Sequence, residues 1–393
     1  MVIIGLGYVG LPLAIAAAKS NYVVVGVDLN QIKVENINKG ISPIEDIHDI
    51  EIKDLITHGT FTASSDYSEI RDAKIVLICV PTPLTAERIP DLSNIENAVR
   101  SMSRYLSAGS IVILESTVAP GTTRNFLLPL IKSETKLSQN EFELAFSPER
   151  IDPLNNLWNL RNTPKLVAGL TEVSRVKAKN FYSKFVDHLV ECDTLEIAET
   201  AKLLENSFRL INISFINELS KFCFKSGIDI RKVITSAATK PYGFMPFYPS
   251  VGVGGHCIPV DPLYLSSKAI EVDEPIQLIE LASQINLSMP QYYVRRAQDK
   301  LKVLEKKKII VIGVSYKPDL SDTRETPVEI LIKGLKQKGA EVHWHDEIVK
   351  EWNGEKSSVL SNNFDLAILA TPHANVDLTK LGEVPIIDTR GSI

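Results

Sequence analysis

The sequence predicts an α/β protein in three parts: a doubly wound N-terminal unit, a central long-helix connector, and a smaller C-terminal α/β unit. Three observations predict it. The first is a series of short apolar runs, at 2–4, 23–27, 75–80 and 111–114, with helix-patterned segments at 11–20, 31–39 and 94–106 between them. Runs that are apolar throughout suit parallel strands buried on both faces. The second is the replacement of that alternation by long helical patterns at about 197–226 and 276–304. The third is a renewed strand at 309–313, followed by a helix at about 326–338 and strands at 341–345, 366–369 and 385–388.

Further strands near 142–146 and 165–168 continue the first sheet. The expected domains are therefore 1–190, 191–304 and 305–393. A chain of 393 residues also exceeds the size at which single cores stop growing. Pro275 marks the start of the second helical region, and Lys306, Lys307 and Lys308 read as a solvated helix end beyond it.

Bulk properties narrow the function. With 44% apolar and 23% charged residues the composition is globular, and a net charge of -5 gives no pull toward nucleic acid or anionic membrane. No apolar run is long enough to span a bilayer. Met1 is followed at once by the first strand, so no charged leader is expected, and upstream residues are missing or dispensable. Cys79, Cys192, Cys223 and Cys257 are widely spaced and form no CxxC pair, which points to a reducing cytoplasm rather than a disulfide framework.

GLGYVG (5–10) follows the first strand and opens an apolar helix, and Asp28 ends the next strand. In this context Gly5, Gly7 and Gly10 let the backbone approach a pyrophosphate at the helix N-terminus, and Tyr8 and Val9 lie beside it. Asp28 would accept from an adenosine ribose and repel a 2′-phosphate, so NAD is favoured over NADP. Thr82 and Thr117 follow later strands of the sheet, where they either contact ligand or cap the next helix.

GVGGHCIPVDP (252–262) combines glycines, a thiol, a carboxylate and prolines. Gly254 and Gly255 permit close approach, and Pro259 and Pro262 stiffen the exit. Cys257 is then a candidate nucleophile, against the ordinary reading of a buried thiol. His256 is rejected as its base, because adjacent side chains in an extended segment diverge. Asp261 suits an N-cap with Pro262 at N1, or a group that orients a base. In the long helix, Glu199, Lys202, Asn206 and Arg209 recur on one face, while Leu203, Leu204, Phe208, Ile211 and Phe215 make much of the rest apolar. A polar stripe on a mostly buried helix suggests a site.

Taken in order, GLGYVG, Asp28, FSPER (146–150), KLLEN (202–206), GVGGHCIPVDP and GVSYKPDLSDTRETP (313–327) resemble the UDP-glucose/GDP-mannose dehydrogenase family over nearly the whole chain. The resemblance implies an NAD domain, a central helix that forms a homodimer, and a C-terminal domain for a UDP-sugar. It also implies four-electron oxidation of the sugar C6 alcohol with two NAD+ and one water, through a thiohemiacetal and a thioester on Cys257. Lys202 and Asn206 would stabilise the oxyanion, Asp261 would help activate water, Glu149 would be the acid/base carboxylate, and Thr117 would hold water. Lys33 and Arg324 join the expected cofactor contacts. Arg150, Arg209, Phe247, Tyr248, Tyr316 and Lys317 join the expected substrate contacts.

The loop 239–249 most resembles the branch acting on UDP-N-acetylglucosamine. It lacks both the arginine expected near Lys240 for UDP-glucose and the arginine-valine-asparagine run of the N-acetylmannosamine branch. N-acetylmannosamine, N-acetylgalactosamine and glucose remain alternatives. His343, His345 and Asp346 suggest a metal only weakly, since no third ligand at a sensible spacing is evident, and no metal is expected. Two competing classes are a two-electron hydroxyacid or sugar-phosphate dehydrogenase, which needs no cysteine, and an idle NAD-binding regulator.

Overall fold

The structure is a computed structural model that describes residues 1–152, 155 and 157–391. Contacts divide it into two compact units, Met1–Leu204 and Glu205–Ile393.

The first unit carries strands β1 (Val2–Ile4), β2 (Val24–Val27), β3 (Phe61–Ser64), β4 (Ile75–Ile78), β5 (Ile111–Leu114), β6 (Glu143–Phe146), β7 (Lys165–Gly169) and β8 (Leu189–Glu191). Its helices are α1 (Gly10–Lys19), α2 (Gln31–Asn38), α3 (Asp49–Thr57), α4 (Ser93–Ser103), α5 (Leu128–Glu134) and α6 (Glu172–Tyr182). The strands form one sheet in the order β3-β2-β1-β4-β5-β6-β7-β8. Ile3, Leu77 and Ile113 pack on one face, whereas Val2, Ile4, Val76, Ile78, Val112 and Leu114 pack on the other. Alternate residues therefore feed two cores, which is why the strands read as unbroken apolar runs. The order reverses between β1 and β4, so the loops after those strands flank a switch point where ligands bind in such sheets.

Helix α7 (Leu195–Lys225) runs from the first unit into the second. The second unit adds α8 (Ile230–Ala237), α9 (Asp261–Glu271), α10 (Gln277–Leu301) and α11 (Pro327–Gln337). Its strands are β9 (Lys308–Ile312), β10 (Glu341–His345), β11 (Glu351–Trp352), β12 (Glu355–Lys356), β13 (Leu366–Leu369) and β14 (Ile386–Asp388). Four of them form a parallel sheet, β10-β9-β13-β14, and β11 and β12 form a hairpin.

Several expectations need correction. β7 pairs antiparallel to β6, so the first sheet is not parallel throughout. Helix α10 ends at Leu301 and Lys308 already opens β9, so the three lysines do not decorate a helix end; the Lys307 ammonium pairs with Asp365 at 3.1 Å. Asp261 is not an N-cap, because α9 starts at Asp261 itself with Val260 in the cap position. Nor is α7 mostly buried: Leu204 and Phe215 are each 61% exposed, and Phe208 is 45% exposed. The polar stripe is what lies inside, with Glu199, Lys202 and Asn206 buried and Arg209 exposed.

Candidate active site

In the first unit the glycine loop is built for backbone approach. A Cβ on Gly10 would lie 1.8 Å from the Gly5 carbonyl oxygen, so no side chain fits there, whereas one on Gly7 would meet nothing within 4 Å. Tyr8 and Val9 are half-buried beside it. Asp28 accepts from the Leu6 amide at 2.9 Å, from the Asn30 amide at 2.9 Å and from the Lys33 ammonium at 2.8 Å. Burial pushes the Asp28 carboxyl up, but the Lys33 ammonium and the two amides outweigh it and hold the group below its ordinary value. A carboxylate joined to the glycine loop at the end of β2 fits an adenosine ribose, so these residues fit NAD. Lys33 reaches this place through Asp28.

Thr82 and Thr117 lie half-buried beyond the ends of β4 and β5. The Ser116 hydroxyl donates to the Val80 carbonyl at 2.7 Å and links those two loops. Glu149, just after β6, accepts from the Ile151 amide through Oε1, while its Oε2 is buried with no hydrogen-bond partner among the described residues. The Arg150 guanidinium donates to the Pro164 carbonyl at 2.8 Å. Glu149, Arg150 and Lys165 line one pocket with Ile151, Leu160 and Thr163.

Glu199 shares a helix face with Lys202, yet its carboxylate is engaged by the amides of Gly121 at 2.6 Å and Thr123 at 2.9 Å, fixing the loop beyond Thr117. Burial still leaves its pKa above the ordinary value. Lys202 is buried on the same helix face, a placement of a cation that suits an anionic or oxyanionic ligand.

In the second unit the thiol loop is clamped from several sides. The Cys257 carbonyl accepts from the amides of Val260 at 3.2 Å and Asp261 at 2.8 Å, so the chain turns directly into α9. The Asp261 carboxylate, buried in the first turn of α9, accepts from the Asn206 side-chain amide at 2.6 Å. The Asn286 carboxamide accepts from the Val253 amide at 2.6 Å, and that of Asn217 accepts from the Ser250 amide at 2.8 Å. Gly255 has φ +82°, and a Cβ there would lie 2.9 Å from the Tyr316 ring; one on Gly254 would lie 2.8 Å from the Glu325 carbonyl oxygen. The glycines thus let 252–257 lie against the turn 316–325, and the Gly255 amide donates to the Arg324 carbonyl at 3.1 Å.

All four cysteines are free thiols, and Cys257 alone is exposed. Burial and the neighbouring Glu115 push the Cys79 thiol well up, which suits an inert role. His256 is held below its ordinary pKa by burial and by Arg324, among the charges of the facing turn. Arg324 itself forks onto Asp322 at 2.8 and 2.9 Å, and Lys317 and Tyr316 are half-buried in the same turn. In the loop 239–249, Phe247 packs edge-on to Phe208 with ring centroids 5.8 Å apart, and Arg231 lies over Tyr248 at 5.1 Å. Among the described residues no group of three or more His, Cys, Asp or Glu could hold a metal; His345 is instead engaged by the Ser358 carbonyl at 2.6 Å and Glu347 at 3.1 Å.

Sequence reasoning assigned no role to Asn217, Asn286, His373, Glu115, Lys165 or Tyr182. The asparagines had a signal, since each is an uncharged polar residue within an apolar helical pattern. Glu115 and Lys165 had a weaker one, being charges at the ends of apolar strands.

Comparison with known proteins follows the same division. Residues 1–186 match the NAD binding domain of the UDP-glucose/GDP-mannose dehydrogenase family, 196–288 its central domain, and 310–393 its UDP binding domain. The chain is 32% identical to UDP-N-acetyl-D-mannosamine dehydrogenase of Pyrococcus horikoshii, covering 94% of this chain and 88% of the relative. It is also 32% identical to UDP-N-acetyl-D-glucosamine 6-dehydrogenase of Pseudomonas aeruginosa, covering 88% and 82%. The solved structure of the Pyrococcus horikoshii UDP-D-ManNAc dehydrogenase superposes with a TM-score of 0.91 over 99% of this chain and 95% of that one. With its three domains matched in sequence order, the chain belongs to the UDP-glucose/GDP-mannose dehydrogenase family, whose members bind NAD through the first domain and UDP through the last.

Proposed function

We propose that this NAD-dependent UDP-sugar dehydrogenase oxidises C6 of a UDP-N-acetylhexosamine to the carboxylate, with UDP-N-acetylglucosamine the first choice, through a thioester on Cys257. The observation that carries the reading is the thiol itself: the one exposed cysteine sits on a loop fixed by Asn217, Asn286 and the Asn206–Asp261 pair. A two-electron dehydrogenase has no use for it.

NAD, held by the glycine loop and Asp28, supplies the acceptor for the hydride that leaves C6. In the first oxidation the C6 hydroxyl gives up its proton, with Glu149 as acid/base, and C6 becomes an aldehyde. The Cys257 thiolate then adds to the aldehyde carbon, forming a C–S bond and an alkoxide that Lys202 and Asn206 stabilise. Loss of the second hydride, for which a second NAD+ bound in place of the first NADH would be the acceptor, leaves a thioester. Water, held by Thr117 and activated with Asp261, adds to the thioester carbon; the C–S bond breaks, releasing thiolate and carboxylate. Arg324 serves the cofactor. Arg150, Arg209, Phe247, Tyr248, Gly254, Gly255, Tyr316 and Lys317 serve the substrate.

The choice of sugar rests on the loop 239–249, where Lys240 stacks on the exposed Tyr242 at 5.1 Å. The mannosamine epimer is the second reading, favoured by the likeness to the UDP-N-acetyl-D-mannosamine dehydrogenase of Pyrococcus horikoshii. NADH yield across a panel of UDP-hexoses and UDP-N-acetylhexosamines tests both. The account expects two NADH per sugar, with the highest kcat/KM for the glucosamine form; one NADH with accumulating aldehyde would remove the thioester.

We further propose a homodimer through α7. Leu204, Phe208, Phe215 and Phe222 are exposed on that helix, and covering what remains exposed of each side chain would stabilise association by about 1 kcal/mol. Sedimentation at the mass of a single chain, at micromolar concentration, would contradict it. The division into 1–190, 191–304 and 305–393 belongs to the same reading, as does a cytoplasmic location. Free thiols support that location, and no helix among the described residues is long and apolar enough to cross a membrane.

A further inference from the structure

Behind Glu149 lies a buried group of charges that the proposed chemistry does not use. Glu115 directly follows β5, Lys165 opens β7 and Tyr182 closes α6, and all three are withdrawn from solvent. The Lys165 ammonium donates to Glu115 Oε2 at 2.7 Å and to the Pro148 carbonyl at 3.2 Å, and it lies over the Tyr182 ring at 5.0 Å. The Tyr182 hydroxyl donates to Glu115 Oε1. Pro148 immediately precedes Glu149, and Lys165 lines the same pocket as Glu149. Glu149 presents a buried, unpartnered carboxylate oxygen there.

Stability alone is a weak reason for such a cluster, because a buried ion pair is often no better than apolar residues of the same volume. Its placement is more informative. One ammonium ties down the backbone beside the proton-handling carboxylate, and one carboxylate balances that ammonium. The charges communicate: burial first, and then Glu149 against the opposing pull of Lys165, push the Glu115 carboxyl up to about 7.

We infer that Glu115, Lys165 and Tyr182 are positioning residues for Glu149: Lys165 fixes the backbone at Pro148, and its charge, balanced by Glu115, sets the pH range over which Glu149 exchanges protons with substrate. The inference rests on the acid/base reading of Glu149. The ionisable groups around that carboxylate are Cys79 beyond β4, Glu115 beyond β5, Lys165 on β7, Tyr182 on α6, and Arg150 and Asp152 on its own segment. Where Glu115 is ionised, replacing it removes one negative charge beside the Lys165 ammonium, which favours the anionic form of a neighbouring acid and moves the pH profile of turnover toward acid.

The test is the pH profile of kcat and kcat/KM for the full chain and for Glu115→Gln, Tyr182→Phe and Glu149→Gln. Glu115→Gln keeps one oxygen to accept from Lys165 and presents an amide N–H that the Tyr182 hydroxyl can accept, and it should shift the profile toward acid by about one pH unit. Tyr182→Phe removes a hydrogen bond that favours the Glu115 anion, so it should shift the profile the same way by less. KM for NAD should not move in either. Glu149→Gln should lose turnover by roughly 100-fold or more. Profiles of Glu115→Gln and Tyr182→Phe that superimpose on the parent, with Glu149→Gln inactive, overturn the inference alone; should Glu115→Gln fail to fold, Tyr182→Phe decides. Full turnover by Glu149→Gln overturns the acid/base reading and the inference with it.

Discussion

The two α/β units close their first loops with the same latch and then use it differently. Gly5 and Gly313 follow equivalent strands, with φ +93° and +83°, and their amides donate to Val27 and His345 carbonyls at 2.7 and 2.8 Å. Asp28 accepts from the Leu6 amide at 2.9 Å and Asp346 from the Val314 amide at 2.8 Å. The other oxygen of each takes an amide two residues onward, Asn30 and Ile348, both at 2.9 Å. The third partner separates them. Lys33, a half-buried cation, meets Asp28, whereas Asp346 receives Nε2–H of the buried His373 at 3.0 Å. His373 Nδ1 accepts from the Asp319 amide at 2.9 Å, which assigns the proton to Nε2 and ties down the loop carrying Lys317. A shared fold feature thus takes a half-buried lysine as its last partner in one unit and a buried histidine in the other.

Breaking each latch should separate affinity from stability. Asp346→Ala leaves His373 and four backbone amides, Val314, Ser315, Ile348 and Val349, without their buried acceptor. The expected loss is on the order of 3–5 kcal/mol of unfolding free energy, read by urea denaturation, larger than for Asp28→Ala. Equal losses would erase the distinction between anchor and site. Asp28→Ala should instead weaken NAD binding about 10- to 100-fold in calorimetry, with UDP binding unchanged.

The pH dependence sharpens the contrast further. Burial pushes the Asp346 carboxyl up, but His373 and the amides of Val349, Val314 and Ile348 prevail and hold it at about 2, below its ordinary 3.8. A lowered carboxyl contributes stability that is present above pH 3.8 and is lost as pH falls toward 2. Glu115 carries the opposite sign: raised from 4.5 to about 7, it contributes stability present below pH 4.5 that is lost as pH rises through 7. Urea midpoints should therefore fall on acidification below about pH 4 and drift down from about pH 5 to 7. Replacing Asp346 should flatten the first slope and Glu115→Gln the second; a parent midpoint that rises below about pH 4 would contradict the Asp346 account.

What was legible in the sequence follows from what each element needs. β1, β5 and β13 could be read because their residues are apolar on both faces, and β10 because Val342 and Trp344 alternate with polar residues along an edge strand. β3 and β8 were missed because Thr62, Val190 and Glu191 face solvent, breaking the apolar run. The direction of β7 was not legible, since reversing a strand leaves its pattern unchanged. The glycine loop, Asp28 and the thiol segment carried local signatures. The Glu115–Lys165 pair joins positions 50 residues apart, and no local pattern encodes such a pairing. Exposure on α7 could not be read either, because apolar side chains look alike in sequence whether a core or a second copy is to cover them.

The most direct test is NADH released per UDP-sugar in a single turnover, comparing the parent with Cys257→Ser. The account predicts two NADH and a uronic acid from the parent, and no more than one NADH, with the sugar stalled at the aldehyde level, from the serine variant. Two NADH per sugar from Cys257→Ser would contradict it.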